Sequence, residues 1–292
     1  MAFFKFNFTD KIIHFLYRVK NQVQNCNLFL FSRVGKRFLM DSKNKTYKAM
    51  VSSDWNECLA PCGPFDFISI NYPELESDLK TIFKHYTGNI ISLGDAVRKI
   101  KKLLPAPITQ KQMDAYLNKS FITYKGVAEL IDWCLSNDIL FMVNTTGMIG
   151  YFQRIFAGGF LPQLPVLSAH PMVRYAHQNT DPDYIFDLFE IKDKLKNTEA
   201  VARSFSIPFN KIILMGDSGG DGPHFKWGAG INALLIGSMT KPSLKKYCAR
   251  QNVKIDIEFG ISYADREDRD QKKEMLTNFM DLLPLIENFL GE

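Results

Sequence analysis

The stretch SSDWNECLAP, residues 52–61, decides how the rest of the chain is read. It follows the apolar residues Met50 and Val51, so it begins as the end of a buried strand. Yet it places Asp54 there, where an ionised carboxylate is costly unless something compensates its charge. Two residues later stands Asn56, an amide, where a catalytic loop built on paired acids would carry a second carboxylate.

Outward from this stretch, short apolar runs alternate with amphipathic segments. That is the pattern of an α/β domain with a parallel sheet. Residues 47–53, 139–144, 212–216 and 233–237 read as buried parallel strands. Helices are expected over 126–135, with Val127, Leu130, Ile131 and Cys134 on one face, and over 198–205. The span between the first two strands is too long for a crossover and carries three helical patterns: Leu79, Ile82 and Phe83; Val97, Ile100, Leu103 and Leu104; and Met113, Tyr116 and Leu117. The division expected is a basic amphipathic extension over 1–46, an α/β core over 47–60 and 124–292, and an inserted helical cap subdomain over 61–123. Beyond about residue 260, Leu276, Phe279, Leu282, Leu283, Ile286 and Phe289 are spaced as one core-packing terminal helix.

Composition excludes several classes. A chain of 292 residues that is 46% hydrophobic and 13% aromatic buries a large core and is not disordered. No apolar run approaches the roughly 18 residues of a membrane span, and Lys5, Asp10 and Lys11 interrupt any leader-like start. Five cysteines at irregular spacing fit a reducing compartment, so a soluble, cytoplasmic protein is expected. Residues 1–48 carry ten Lys or Arg against Asp10 and Asp41, a net +8 that leaves −3 for the remainder of a chain of net charge +5. Such an arm suits a weak contact with an anionic surface. No zinc-finger spacing or RNA-recognition motif accompanies it, so no nucleic-acid partner is expected.

Open α/β sheets bind ligands beyond the carboxyl ends of their strands. Asp54 follows the first strand, Thr145 the second, and Asp217 and Asp221, in GDSGGD, the third. Carboxylates converging on one edge repel each other unless a cation sits among them, and hard oxygen ligands of this kind suit Mg²⁺. Thr145, with Thr146, Gly147 and the backbone N–H groups leading into the next helix, offers donors for phosphate oxygens.

In this order the motifs resemble those of the haloacid dehalogenase-like hydrolases, and within them the phosphoserine phosphatase-like branch. DWNECL stands at the first motif, TTGMIGYFQRI at the second and GDSGGD at the fourth; NIISLGDAVRKIKKLLPAPIT is similar to the helical cap and TKPSLKKYC to the Lys-Pro segment that follows the last core strand. The resemblance implies a Rossmann-like core with an inserted cap and a Mg²⁺-dependent phosphohydrolase acting on a small phosphorylated metabolite. It implies Asp54 as the nucleophile that becomes an aspartyl phosphate, and Mg²⁺ held by Asp54, the backbone carbonyl of Asn56, Asp217 and Asp221. It also requires a lysine ahead of the helix leading to the fourth motif. KDKLKNTEAV offers Lys192, Lys194 and Lys196; Lys196 is chosen because it precedes Asn197, the expected helix cap, with Lys194 as the reserve. Arg98 falls where the branch carries an arginine for a substrate carboxylate.

Two departures bear on function. Asn56 occupies the place of the acid/base Asp, and an amide neither protonates a leaving alkoxide nor deprotonates water, help worth roughly 10²- to 10⁴-fold. APCGPFDF, after the first motif, lacks the acid that would pair with a substrate amine. The alternative is therefore a catalytically silent phosphate-binding or regulatory protein on the same scaffold.

Overall fold

The computed structural model describes residues 45–87 and 90–291. The extension expected over 1–46, and the surface contact assigned to it, lie almost wholly outside them. Seven parallel strands form one sheet in the order β4-β3-β2-β1-β5-β6-β7. They are β1 (Ala49–Ser53), β2 (Ile139–Met148), β3 (Val166–His170), β4 (Tyr184–Asp187), β5 (Ile212–Gly216), β6 (Leu234–Ser238) and β7 (Ile257–Phe259). Every residue of β1, β5 and β6 is buried, as helices on both faces require. Val51 pairs with Phe141 on one side and Ile213 on the other.

The four expected strands are present, and three more were not foreseen. β4 and β7 lie at the sheet edges with half-exposed side chains, and β3 (VLSAH) mixes polar residues into its short run. None gives the apolar run that marks a central strand. Strand order reverses direction at β1: β2 to β4 extend one way and β5 to β7 the other. A crevice opens at such a switch point, at the carboxyl end of the strands. Asp54 and Asp217 stand there.

Between β1 and the helix that leads into β2 lie four α-helices, α1 (Asp66–Asn71), α2 (Glu76–Thr87), α3 (Leu93–Leu103) and α4 (Gln110–Ser120). The first was not foreseen; the other three match the expected patterns. Ser92 caps α3 by accepting from the Asp95 N–H, and Thr109 and Gln112 form a capping box on α4. Leu79, Ile82, Leu93, Val97, Ile100, Met113 and Leu117 turn inward and join the apolar cluster that contains Val51 and Phe141. α5 (Val127–Ser136) leads directly into β2; after β2 come α6 (Ile149–Ala157), α7 (Asp193–Ser204), α8 (Gly222–Gly230) and α9 (Pro242–Arg250). Among the described residues, no helix is long and apolar enough to cross a membrane.

The tail is not one helix. A short helix, α10 (Gln271–Glu274), is followed by a 3₁₀ turn at Phe279–Leu282 and then α11 (Leu283–Leu290). Asn278 caps the turn, accepting from the Met280 N–H, and Leu276, expected in the core, is 80% exposed. Phe279 still packs inward, stacked on Tyr124 at 5.8 Å. Glu274 has no exposure at all and accepts from the Tyr124 and Tyr263 hydroxyls, each at 2.7 Å, and from Arg269 Nε at 2.9 Å. Glu274→Ala would leave both hydroxyls without their acceptor and strip Arg269 of one of its two carboxylates. It should cost about 3–5 kcal/mol, read as a lower denaturant midpoint at unchanged slope; a loss under 1 kcal/mol would mean the network carries little of the tail's stability.

Candidate active site

The loop after β1 is built by backbone bonds. The Asp54 N–H donates to Met215 O at 3.0 Å, extending the β1–β5 ladder one residue past the strand. Asp54 Oδ1 accepts from the Trp55 N–H at 2.7 Å. Trp55 is fully buried, edge-on to Phe152 at 5.5 Å. The chain then reverses: the N–H groups of Leu59 and Ala60 both reach Trp55 O, and that of Glu57 reaches Ala60 O at 2.7 Å. Glu57 takes φ +60°, a left-handed conformation uncommon outside glycine. Its carboxylate is held by ion pairs to Lys241 and Arg269.

Lys194, not Lys196, reaches this loop. Its ammonium lies 2.8 Å from Asp54 Oδ2 and 2.6 Å from Asp221 Oδ1, with the side chain 2% exposed. The sequence reading placed the helix cap at Asn197, but α7 starts earlier, at Asp193, whose carboxylate accepts from the N–H groups of Phe189 and Glu190. Lys196 therefore falls on the outer face, 58% exposed and paired with Asp193 at 3.1 Å, and Lys192 is exposed as well. Asn197 lies within the helix and tethers it to Ser168 Oγ and Asp187 O. A signal was available: Lys194, Thr198, Val201 and Ala202 form the buried stripe of α7 at helical spacing. Asn144 Nδ2 fixes the start of that stripe, donating to Lys194 O at 2.8 Å and Thr198 Oγ1 at 2.9 Å.

Asp217 follows β5, and GDSGGD closes as a 3₁₀ turn at Gly219–Asp221. Asp221 Oδ2 accepts from the N–H groups of Asp217 and Ser218 at 3.0 and 3.2 Å. A Cβ at Gly216 would sit 2.5 Å from Asp221 Cγ, so only glycine lets this carboxyl fold back over the strand end. Carboxylate oxygens of Asp54, Asp217 and Asp221 lie within 4.8 Å of one another. Lys241 Nζ sits 2.6 Å from Asp217 Oδ2.

From the other side, the β2–β3 register shifts between Asn144 and Met148, a bulge that carries Thr145, Thr146 and Gly147. The Gly147 N–H donates to Thr145 Oγ1 at 3.1 Å, and the Thr145 hydroxyl, beside Asp54, works against the rise that burial gives that carboxyl. Asn56 Nδ2 donates to Cys62 O at 3.3 Å, while its Oδ1 is buried without a hydrogen-bond partner. A cavity of about 40 Å³ remains, lined among others by Asp54, Asn56, Thr146, Lys194, Asp217 and Lys241. Arg98 does not join it. Its side chain is 69% exposed on the outer face of α3, paired with Asp95.

Electrostatics leave this cluster short of positive charge. Burial raises the Asp54 carboxyl above its usual range although Lys194 opposes the shift. Burial likewise pushes Asp217 up to about 7, against the pull of Lys241. Burial also works against the Lys194 ammonium, but Asp221 and Asp54 outweigh it and its pKa rises. Three buried carboxylates, with oxygens within 4.8 Å of one another, share two lysines. This donor set fits Mg²⁺.

His224 is a buried partner of α7, with Nε2 2.9 Å from Thr198 Oγ1. Burial lowers its pKa to about 3, with Lys194 adding to the effect. An unfolded histidine binds a proton below about 6.5 that the folded one refuses. Stability should therefore fall as pH drops from about 6.5 toward 3, by up to about 1.4 kcal/mol per unit from this group, and less steeply in His224→Gln. Equal slopes in acid titrations of the two proteins would remove His224 as a cause. The two lysines separate as sharply: Lys194→Ala should cost about 3–5 kcal/mol by stranding two buried acids, and Lys196→Ala under about 1 kcal/mol, by denaturant unfolding.

No family model and no curated protein matches the sequence. Solved structures do. A phosphoserine phosphatase determined as an analogue of its phospho-aspartyl intermediate superposes with a TM-score of 0.58 at 17% identity, covering 82% of this chain and 99% of its own. A substrate-bound phosphoserine phosphatase gives 0.52 at 20% identity over 70% of this chain and 91% of its own. A cytosolic 5'-nucleotidase IIIB bound to cytidine gives 0.51 at 13% identity over 89% and 90%. The chain has the fold of the haloacid dehalogenase-like hydrolases.

Proposed function

We propose that the protein is a phosphohydrolase that cleaves a small phosphomonoester through an aspartyl phosphate on Asp54. One observation carries the reading: Lys194 is buried between Asp54 and Asp221 at the switch point of the sheet, with Asp217 beside them. A buried lysine shared by two acids stabilises a carboxylate that must stay ionised to attack, and then the charge that develops on phosphorus. That the neighbours in fold are phosphatases supports the same reading.

In the first step an Asp54 oxygen attacks phosphorus and the ester oxygen leaves with the bonding pair. In the second, water attacks the acyl phosphate, releasing inorganic phosphate and restoring Asp54. Thr145, beside Asp54, and Thr146, at the cavity wall, donate to phosphate oxygens. Asp54, Asp217, Asp221 and Asn56 would hold Mg²⁺, which supplies charge neutralisation and orients the phosphate for in-line attack. The 40 Å³ cavity has room for a few waters and no more. Phe83 and Tyr86 of α2 close it, so the helices between β1 and β2 act as a lid that opens for substrate.

Asn56 gives up proton transfer and keeps the loop. Glu57, the neighbouring acid, is tied to Lys241 and Arg269 and does not take over that role. Turnover should then favour esters whose leaving group departs unprotonated. Mg²⁺-dependent hydrolysis of p-nitrophenyl phosphate is expected, and Asp54→Asn should abolish it while the fold survives; substantial activity in that variant would remove the covalent mechanism. Asn56→Asp should raise kcat/KM for alkyl phosphates by up to roughly 10²- to 10⁴-fold and change p-nitrophenyl phosphate far less. Equal changes for the two substrates would mean that Asn56 does not stand at the acid/base position.

A further inference from the structure

A second cavity, of about 630 Å³, lies beside the first and is of the size that holds a small organic ligand. Glu57, Pro64 and Phe83 line both, so they form the partition between them. A phosphoryl group seated at Asp54 with its ester oxygen toward that partition projects its organic part into the larger space. The walls there are apolar and aromatic: Phe65, Leu79, Tyr116 and Met275, with Ile70 and Ile122 46% and 43% exposed at the rim.

The charges in this groove are the informative part. Its cation among the described residues is Lys80, tied to Glu76 at 2.6 Å. Glu57 is neutralised by Lys241 and Arg269. Asp66 accepts from the Gly63 N–H at 2.7 Å but has no ion-pair partner among the described residues. The groove therefore offers one uncompensated carboxylate and no uncompensated cation, while Arg98, the residue expected to receive a substrate carboxylate, lies on the outer face of α3. A second anionic group on the substrate would meet repulsion here, and an ammonium would not.

Resting on the phosphohydrolase reading, we infer that the substrate is a phosphomonoester whose organic part is apolar, uncharged or bearing an ammonium, with no second anionic group. The test compares 2-phenylethyl phosphate, phosphocholine and O-phosphoserine with the full chain and Mg²⁺. Both of the first two should exceed O-phosphoserine about tenfold or more in kcat/KM; parity, or preference for O-phosphoserine, overturns the inference. Glu76→Lys, an exposed change at the start of α2, should lower the phosphocholine to O-phosphoserine ratio severalfold, and an unmoved ratio counts against the groove as its origin. Calorimetric binding of the three compounds to Asp54→Asn reads the same preference without turnover. Selective binding there, with no hydrolysis of p-nitrophenyl phosphate by the wild type, would sink the phosphohydrolase reading and keep the groove's selectivity. Hydrolysis of p-nitrophenyl phosphate with O-phosphoserine preferred would do the reverse.

Discussion

The ammonium of Lys194, buried between Asp54 and Asp221, is the contact on which the other parts of the site converge. Two carboxylates this deep are tolerated because a cation lies between them, and the cation is tolerated because both carboxylates face it. That mutual dependence ties together three chain segments far apart in sequence: the end of β1, the first turn of α7 and the turn after β5. Asn144 joins a fourth, from β2, by holding the Lys194 carbonyl. A buried pair of this kind is a poor source of net stability and a strong constraint on geometry, so its persistence at a strand switch point points to chemistry.

A second charged chain runs in from the tail. Glu274 holds Arg269, Arg269 holds Glu57, Glu57 holds Lys241, and Lys241 reaches Asp217. The residues beyond about 260, which lie past the quoted motifs, thus take part in setting the loop after β1. Glu57 at φ +60° is the link between the two, and its left-handed backbone is held by the ion pairs on its carboxylate as well as by its bond to Ala60 O.

Much of this was legible in the sequence because central parallel strands are apolar on both faces and their ends carry the chemistry. β1, β2, β5 and β6 stand where their apolar runs put them, and Asp54, Asp217 and Asp221 come together as their places after strands imply. Edge strands β4 and β7 were not legible, since half-exposed strands lack a two-sided apolar run. The choice among Lys192, Lys194 and Lys196 failed on a helix boundary: Asn197 looked like a cap and is an interior tether, while Asp193, the true first-turn acid, was passed over. Glu57 and Arg269 gave no local signal, because their pairing spans the whole length of the core.

The central claim is that phosphorus becomes bonded to Asp54. With Asn56 unable to deprotonate water, the second step should be the slower one for substrates with good leaving groups, and the intermediate should accumulate. Acid quenching during turnover of a phosphorus-labelled aryl phosphate, followed by peptide mapping, measures this directly. The account predicts an alkali-labile phosphoryl label on the peptide that contains Asp54. Release of inorganic phosphate without label on the chain, or with label on another residue, would contradict it.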